Sequence, residues 1–134
     1  MRSELISVRT GDRPAVVDIT SRCRQFLSPG AEGLLSVFVP HATAGLAVIE
    51  TGAGSDSDLL LQIDEVLPAD GRWSHRHGSA GHGRDHILPA FIAPSLTVPV
   101  LAGRLQLGTW QSICLVDPNG DNPDRHVRLS FLDG

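Results

Sequence analysis

The alternation of apolar and polar residues is the feature of this sequence that most restricts its possible fold. Val127, Leu129 and Phe131 occupy every second position, which is typical of a β-strand with one buried face. Further short apolar runs, bounded by Gly, Pro and polar residues, predict strands in both halves of the chain: Leu5–Val8, Ala15–Ile19, Leu34–Val39, Leu46–Ile49, Leu96–Leu101, Leu105–Leu107 and Ile113–Val116. The chain is therefore predicted to be mostly β.

One segment between the two groups of strands has a helical period instead. From about Ser55 to Leu67 the apolar residues recur at one-, three- and four-residue steps, and Pro68 follows as a stop. Ser55 is the predicted N-cap, and Asp58 three residues later completes a capping-box pattern. A shorter helix is predicted from about Ser21 to Leu27. With these helices the predicted class is mostly β or α+β.

Length and charge limit the classes of function. At 134 residues the chain is predicted to form one domain, residues 1–134. The net charge is −4 and both Lys and Tyr are absent, which disfavours a nucleic-acid partner because such binding relies on clustered cations and stacking aromatics. The apolar runs are too short for a membrane partner and no signal-peptide pattern is present, so a cytoplasmic protein is expected. Cys23 and Cys114 lie in apolar segments and are expected to be buried thiols.

Four of the six histidines fall in a stretch that is nearly free of apolar residues. Ala69 to Asp85 is rich in Gly, His and Arg, and so long a loop in a compact domain tends to be functional or disordered. We call residues 69–86 the histidine loop; it contains His75, His77, His82 and His86. Imidazole is a common ligand of zinc and related ions, which predicts a metal site. The alternative is a set of solvated histidines, because the spacing carries no specific zinc signature.

Polar residues at the ends of predicted elements are further candidates. His41 follows a strand and is either a ligand or base, or a histidine hydrogen-bonded at the sheet rim. Glu50 closes the next run and is either a surface carboxylate or a partner that orients an imidazole. Asp58 either caps the helix or helps to bind a metal–phosphate ligand at its N-terminus. Arg125 begins the last strand and either binds phosphate or is an edge charge, and Trp110 is either a core indole or a binding residue.

Several of these residues stand in motifs that are specific when taken in order. The motifs are His41-Ala42-Thr43-Ala44-Gly45, Glu50, Asp58, the histidine loop, Ser95-Leu96-Thr97-Val98-Pro99-Val100, and Gly103 through Leu107-Gly108-Thr109-Trp110-Gln111. From Leu34 onward the chain resembles the YjbQ-like family, also called secondary thiamine-phosphate synthase. Departures from the family pattern are Ala42 in place of Thr, Trp73 in place of Tyr, and His82 and Asp85 around a position that is often Asn.

This resemblance implies a fold, an assembly and a reaction. The implied fold is a β-sandwich-like α+β domain with antiparallel sheets, and the implied assembly is a homotrimer with its cleft near subunit interfaces. The implied activity is that of a metal-assisted transferase, which joins a pyrimidine pyrophosphate to a thiazole phosphate and releases pyrophosphate. The expected partner is accordingly a small phosphorylated metabolite, and the expected cofactor is a divalent ion, zinc or magnesium.

The resemblance also assigns roles to individual residues. The metal ligands are His41, His75 and His86; the catalytic residues are Glu50, Asp58 and Arg125; the substrate-binding residues are Thr43, Trp110, Gln111 and Arg125. Two alternatives keep the same site but change its use. One is a metal-dependent hydrolase of a small phosphate or other ester, and the other is a trimer that binds a metal or metabolite without catalysis.

Overall fold

The computed structural model describes residues 1–134, and the chain folds into eight strands, two α-helices and two short 3-10 helices. In chain order these are β1 (Arg2–Arg9), β2 (Ala15–Asp18), α1 (Thr20–Phe26), β3 (Gly33–Phe38), β4 (Gly45–Ile49), α2 (Ser55–Val66), the 3-10 helices His82–His86 and Leu88–Ala90, β5 (Ser95–Leu101), β6 (Arg104–Leu105), β7 (Ser112–Asp117) and β8 (Asp124–Asp133). Every predicted strand overlaps an observed one, and both predicted helices are present. The prediction of a mostly β, α+β fold is confirmed.

The strands pair into two antiparallel sheets. The larger has the order β1-β8-β3-β5-β6, and the smaller has the order β2-β7-β4. In β8 the side chains of Arg125, Val127, Leu129 and Phe131 are buried while their neighbours are more exposed, as the alternating sequence predicts. The apolar faces of the two sheets and of α1 meet in the main core.

Strand β7 has core residues on both of its faces. Ile113 and Leu115 belong to the main core, whereas Val116 packs in a smaller cluster with Ile63 of α2 and with Leu88. The smaller sheet therefore lies between the larger sheet and the layer formed by α2 and the second 3-10 helix. The end of β7 consequently emerges from a well-packed part of the molecule, which makes the turn that follows it a firm base for a site.

The helix N-termini differ from the sequence prediction. At α2 the N-cap is Gly54, with φ of 100°, and no side chain caps the helix. The predicted capping box of Ser55 and Asp58 is therefore wrong, since Ser55 is already the first helical residue. Glycine adopts a left-handed backbone conformation at little energetic cost because it has no Cβ. The helix therefore begins after the left-handed Gly54, without a side-chain cap.

A close backbone contact fixes the segment that follows the histidine loop. A Cβ on Gly45 would lie 2.0 Å from the carbonyl oxygen of Ile92, so only glycine fits where β4 begins. The backbone N–H of Leu46 also donates to the carbonyl oxygen of Ala93 at 2.8 Å. The chain that leaves the second 3-10 helix is thus fastened to the smaller sheet.

The two cysteines are buried and unpaired. Burial raises the pKa of Cys23 and of Cys114 to about 12, so both remain thiols at neutral pH. The sequence prediction of core thiols is confirmed. Neither α-helix has the length and apolar character needed to cross a bilayer.

Candidate metal centre

The histidine loop is held at its base by polar contacts and by close backbone packing. Arg84 is buried and donates to the carbonyl oxygen of Leu67 at 3.1 Å and to the carboxylate of Asp64 at 2.8 Å. A Cβ on Gly83 would lie 2.5 Å from the carbonyl oxygen of His75, so the two arms of the loop are in direct backbone contact. These contacts fold the loop back on the end of α2 and bring distant histidines near each other.

Three imidazoles converge in this loop. One ring nitrogen from each of His75, His82 and His86 lies within 4.8 Å of the others. The ring centroids of His75 and His86 are 3.8 Å apart, and that of His82 lies 4.9 Å from the first and 5.4 Å from the second. The exposed ring of His77 lies 4.0 Å from that of His75 but is not among the three. The structure thus brings together the predicted pair His75 and His86 and adds His82.

These imidazoles are suited to the neutral, metal-binding form. Burial lowers the pKa of His75 and of His86, and the neighbouring imidazoles lower both further. The Nε2 atom of His75 is buried without a hydrogen-bond partner, a condition that costs free energy unless another group satisfies it. Divalent ions are bound by imidazole that has lost its proton. The donor set therefore fits a divalent transition ion.

A row of buried polar side chains connects the first 3-10 helix to β8. Asp85 accepts from Arg84 at 2.6 Å and from the amide of Asn119 at 3.0 Å. Asp117 accepts from the backbone N–H of Asn119 at 2.9 Å, and its two oxygens accept from Arg125 at 2.7 and 2.9 Å. Burial raises the pKa of Asp85, although the hydrogen bonds from Asn119 and Arg84 oppose the change. Arg84 is paired with Asp85 and Arg125 with Asp117, so the positive and negative charges within this row cancel.

His41 lies outside the three converging imidazoles, at the edge of the larger sheet. Its Nε2 accepts a hydrogen bond from the backbone N–H of His126 at 2.9 Å, and the two rings stack with centroids 6.0 Å apart. Strand β3 ends at Phe38 opposite Arg128, so the residues of β8 that precede Arg128 pair with β1 but have no partner from β3 on the other side. His41 supplies the missing acceptor, which matches the rim hydrogen bond that its sequence position also allowed.

Arg125 and Thr43 lie together near His41. The Arg125 side chain is 1% exposed and its Nη2 donates to the hydroxyl of Thr43 at 2.8 Å, beside the bonds to Asp117. The guanidinium is thus already paired within the chain. The positive charge of Arg125 acts on His41, because it lowers the pKa of that imidazole together with the larger effect of burial.

The other predicted site residues lie on the surface, away from the triad formed by His75, His82 and His86. Glu50 follows β4 and Asp58 lies in the first turn of α2, and both are exposed. Trp110 is 73% exposed, and the amide oxygen of Gln111 accepts from the backbone N–H of Gly108 at 2.8 Å. Trp110 and Gln111 therefore share one surface turn, where Gln111 helps to hold the backbone.

Lower pH is expected to destabilise the metal-free protein partly through His41. Folding lowers the pKa of His41, so as the pH falls the unfolded chain takes up a proton at this residue before the folded protein does, at about pH 6.5. The free energy of unfolding therefore decreases as the pH falls below that value. Thermal unfolding between about pH 7.5 and 5.5 should show a smaller decrease for His41→Asn, which keeps an acceptor but does not titrate. Identical pH slopes for the two proteins would contradict this role.

Sequence reasoning placed His82 among the candidate histidines without assigning it as a ligand, and it missed the polar residues at the end of β7 and directly after it. A spacing of four residues between His82 and His86 was the available signal, because such residues share a face of a helical turn. Asp117 and Asn119 come directly after a fully apolar run, where polar side chains are often functional or structural. Their contacts with Arg125 and Asp85 depend on distant parts of the chain.

Comparison with known proteins decides the family. The sequence model of the family described as "UPF0047 protein YjbQ-like" matches residues 4–134. The chain belongs to the YjbQ-like family. One family member, UPF0047 protein Rv2556c of Mycobacterium tuberculosis, is 58% identical over 134 residues and both chains are fully covered. YugU of Bacillus subtilis, another UPF0047 protein, is 34% identical, with 86% of this chain and 88% of the relative covered.

Solved structures of YjbQ-like proteins have the same fold. The hypothetical protein APE1520 from Aeropyrum pernix superimposes with a TM-score of 0.89 at 36% identity, and both chains are covered completely. A YjbQ/UPF0047 family protein from Clostridium acetobutylicum gives a TM-score of 0.85 at 28% identity, with 96% of this chain and 99% of the other covered. The second of these names states the family, and neither states a reaction.

Proposed function

We propose that this YjbQ-like protein is a metal-assisted enzyme that acts on a small phosphorylated metabolite. A divalent ion would be held by His75, His82 and His86. The observation that carries the proposal is the convergence of these three imidazoles, one of which has a buried nitrogen without any partner. A bound ion would satisfy this nitrogen.

The donor set favours zinc or a similar transition ion over magnesium. Magnesium prefers oxygen ligands and keeps several waters, whereas imidazole suits zinc. Zinc at about 2.0–2.1 Å from each nitrogen in a tetrahedral site separates the ligand atoms by about 3.3 Å. The three ligand atoms lie within 4.8 Å of one another, so each pair would need to approach by no more than about 1.5 Å. Three protein ligands also leave a fourth position for a substrate, which is typical of catalytic zinc sites.

Charge supports a phosphorylated substrate. Three neutral imidazoles do not cancel the charge of a divalent ion, and the nearby buried carboxylates are already compensated by Arg84 and Arg125. The ion would therefore retain attraction for an anionic ligand such as a phosphate or pyrophosphate. When bound, it would stabilise the negative charge that develops on a leaving pyrophosphate or phosphate.

We infer that the reaction is of the secondary thiamine-phosphate synthase type, in which a pyrimidine pyrophosphate and a thiazole phosphate are joined and pyrophosphate is released. Its main support is the resemblance of the motifs around His41, the histidine loop and Trp110 to those of that family. The second candidate is hydrolysis of a small phosphate ester, which an ion with three neutral ligands and one open position also supports. A third use of the site is binding without catalysis.

Exposed apolar side chains support the homotrimer that the resemblance implies. Leu61 and Val66 on α2 and Phe91 after the second 3-10 helix are each more than half exposed, as is Trp110. Exposed apolar groups are often covered by another subunit in an assembled protein. The proposal is that copies of the chain cover these surfaces in the assembled protein.

Metal analysis followed by turnover assays tests the proposed function. We expect about one zinc-type ion per chain after purification or reconstitution. Formation of thiamine phosphate from the two precursors, with stoichiometric release of pyrophosphate, would support the transferase, and turnover confined to a panel of phosphate esters would support the hydrolase. Metal binding without turnover of either would favour the binding module. Failure to bind any divalent ion after reconstitution would rule out both enzymes and a metal-binding module.

A further inference from the structure

Resting on the proposed metal centre, we propose that Asp121 and Ser79 are positioning residues that fix which nitrogen of His82 faces the ion. Ser79 contacts the imidazole at Nδ1, and Asp121 contacts Ser79. Both act through the hydrogen bonds that orient the imidazole of His82.

The carbonyl oxygen of Ser79 determines the tautomer of His82. It lies 2.8 Å from Nδ1 of the imidazole, and a carbonyl oxygen only accepts hydrogen bonds. Nδ1 therefore carries the hydrogen, and the lone pair of the neutral ring is on Nε2. Histidine ligands of metals are commonly oriented in this way by an acceptor on their other nitrogen. His82 is 7% exposed, so its ring has little freedom to turn over.

Asp121 in turn holds Ser79. One carboxylate oxygen of Asp121 accepts from the hydroxyl of Ser79 at 2.7 Å and from its backbone N–H at 3.3 Å. The hydroxyl bond is the main reason why the pKa of Asp121 is lowered. Ser79 itself is exposed and belongs to a part of the loop without apolar anchors. The two bonds that Ser79 donates to Asp121 therefore hold the residue whose carbonyl oxygen accepts from the imidazole of His82, and from its backbone N–H at 3.2 Å.

The turn that carries Asp121 is itself well anchored. The backbone N–H of Asp121 donates to the side-chain oxygen of Asn119 at 2.8 Å, and Asn119 is buried against Asp85. This turn follows β7, the strand with core contacts on both faces. A continuous chain of hydrogen bonds thus connects the packed end of β7 to Asp121, Asp121 to Ser79, and Ser79 to the imidazole of His82.

Gly78 completes the arrangement by leaving room for the ring. A Cβ at this position would lie 2.8 Å from Cε1 of His82, and the backbone has φ of +93°. The backbone before Ser79 therefore lies directly against the imidazole. Any shift of this segment moves the ring, which makes its attachment to Asp121 relevant to the metal.

The test compares Asp121→Ala with Asp121→Asn in the full-length protein. Zinc affinity, measured by competition with a chromophoric chelator, is expected to fall about 10- to 100-fold in Asp121→Ala, as for other groups that orient a ligand. Asp121→Asn keeps an oxygen that accepts both bonds from Ser79, so its affinity should stay close to that of the unmodified protein. The matched control is Asp70→Ala, which removes an exposed ion pair with Arg72 in the same loop and should not change zinc affinity.

Cobalt(II) supplies a second readout, because its visible spectrum reports the number and geometry of the ligands. The Asp121→Ala spectrum should indicate a lost or displaced imidazole, and the Asp121→Asn spectrum should match that of the unmodified protein. The proposal is overturned if Asp121→Ala binds zinc like the unmodified protein, or if Asp121→Asn loses as much affinity as Asp121→Ala. If the unmodified protein binds neither ion, the metal centre itself is absent and both proposals fail together.

Discussion

Replacement of His82 or His86 by alanine is expected to lower zinc affinity by ~100-fold or more, because loss of a direct ligand should cost at least as much as loss of a group that merely orients one. His86→Ala leaves two of the three converging nitrogens, and so does His82→Ala. Turnover that depends on the ion should decrease in parallel. Isothermal titration or chelator competition measures the affinity directly.

The comparison with His41 separates two possible ligand sets. The set from the sequence motifs is His41, His75 and His86, whereas the set from the geometry is His75, His82 and His86. The second set predicts that His41→Ala retains zinc, since the Nε2 of His41 is occupied by the backbone N–H of His126. His77→Ala, which removes an exposed imidazole near the site, is the control within the loop. Loss of zinc from His41→Ala but not from His82→Ala would refute the triad.

Replacement of Asp117 by alanine is expected to lower the free energy of unfolding by about 3–5 kcal/mol, the cost of leaving one member of a buried ion pair without its partner. The side chains of Asp117 and Arg125 are 0% and 1% exposed and are joined by two short hydrogen bonds. In the variant the guanidinium stays buried with only the hydroxyl of Thr43 as partner. Urea unfolding, followed by circular dichroism, measures the change.

A second ion pair of the protein provides the matched control. Asp124 faces Arg9 at 3.4 Å, and both side chains are largely exposed, at 66% and 75%. Asp124→Ala should cost about 0–1 kcal/mol, because exposed pairs are solvated and screened. Equal losses for Asp117→Ala and Asp124→Ala would contradict a larger cost for breaking the buried pair of Asp117 and Arg125.

The sequence predicts those parts of the fold that depend on local periodicity. Alternation over Val127–Phe131 identifies the centre of β8, and the helical spacing identifies α2 nearly to the residue, because each pattern reflects a single buried face. The cap of α2 was not predictable in this way. Ser55 has the right chemistry for an N-cap, yet the left-handed backbone of Gly54 starts the helix one residue earlier, and sequence pattern does not distinguish the two.

The candidate site was predictable only in part, for a related reason. Clustering within the histidine loop identifies His75 and His86, since both lie in one short stretch of chain. The place of His41 depends on where β3 stops relative to β8, and that register is a property of the folded sheet. Asp85 and Asn119 meet across more than thirty residues of sequence, so no local pattern indicates their contact.

The close contact between Gly78 and His82 limits how the histidine loop can change. A side chain at position 78 would need to occupy the space of the imidazole, so the segment before Ser79 cannot vary without altering the ring. The side chain of Arg72 carries no such restriction, because its ion pair with Asp70 is exposed. A single labelling substitution such as Arg72→Cys is therefore better tolerated than one at Gly78, which offers a practical route to labelling the protein while its ligands stay intact.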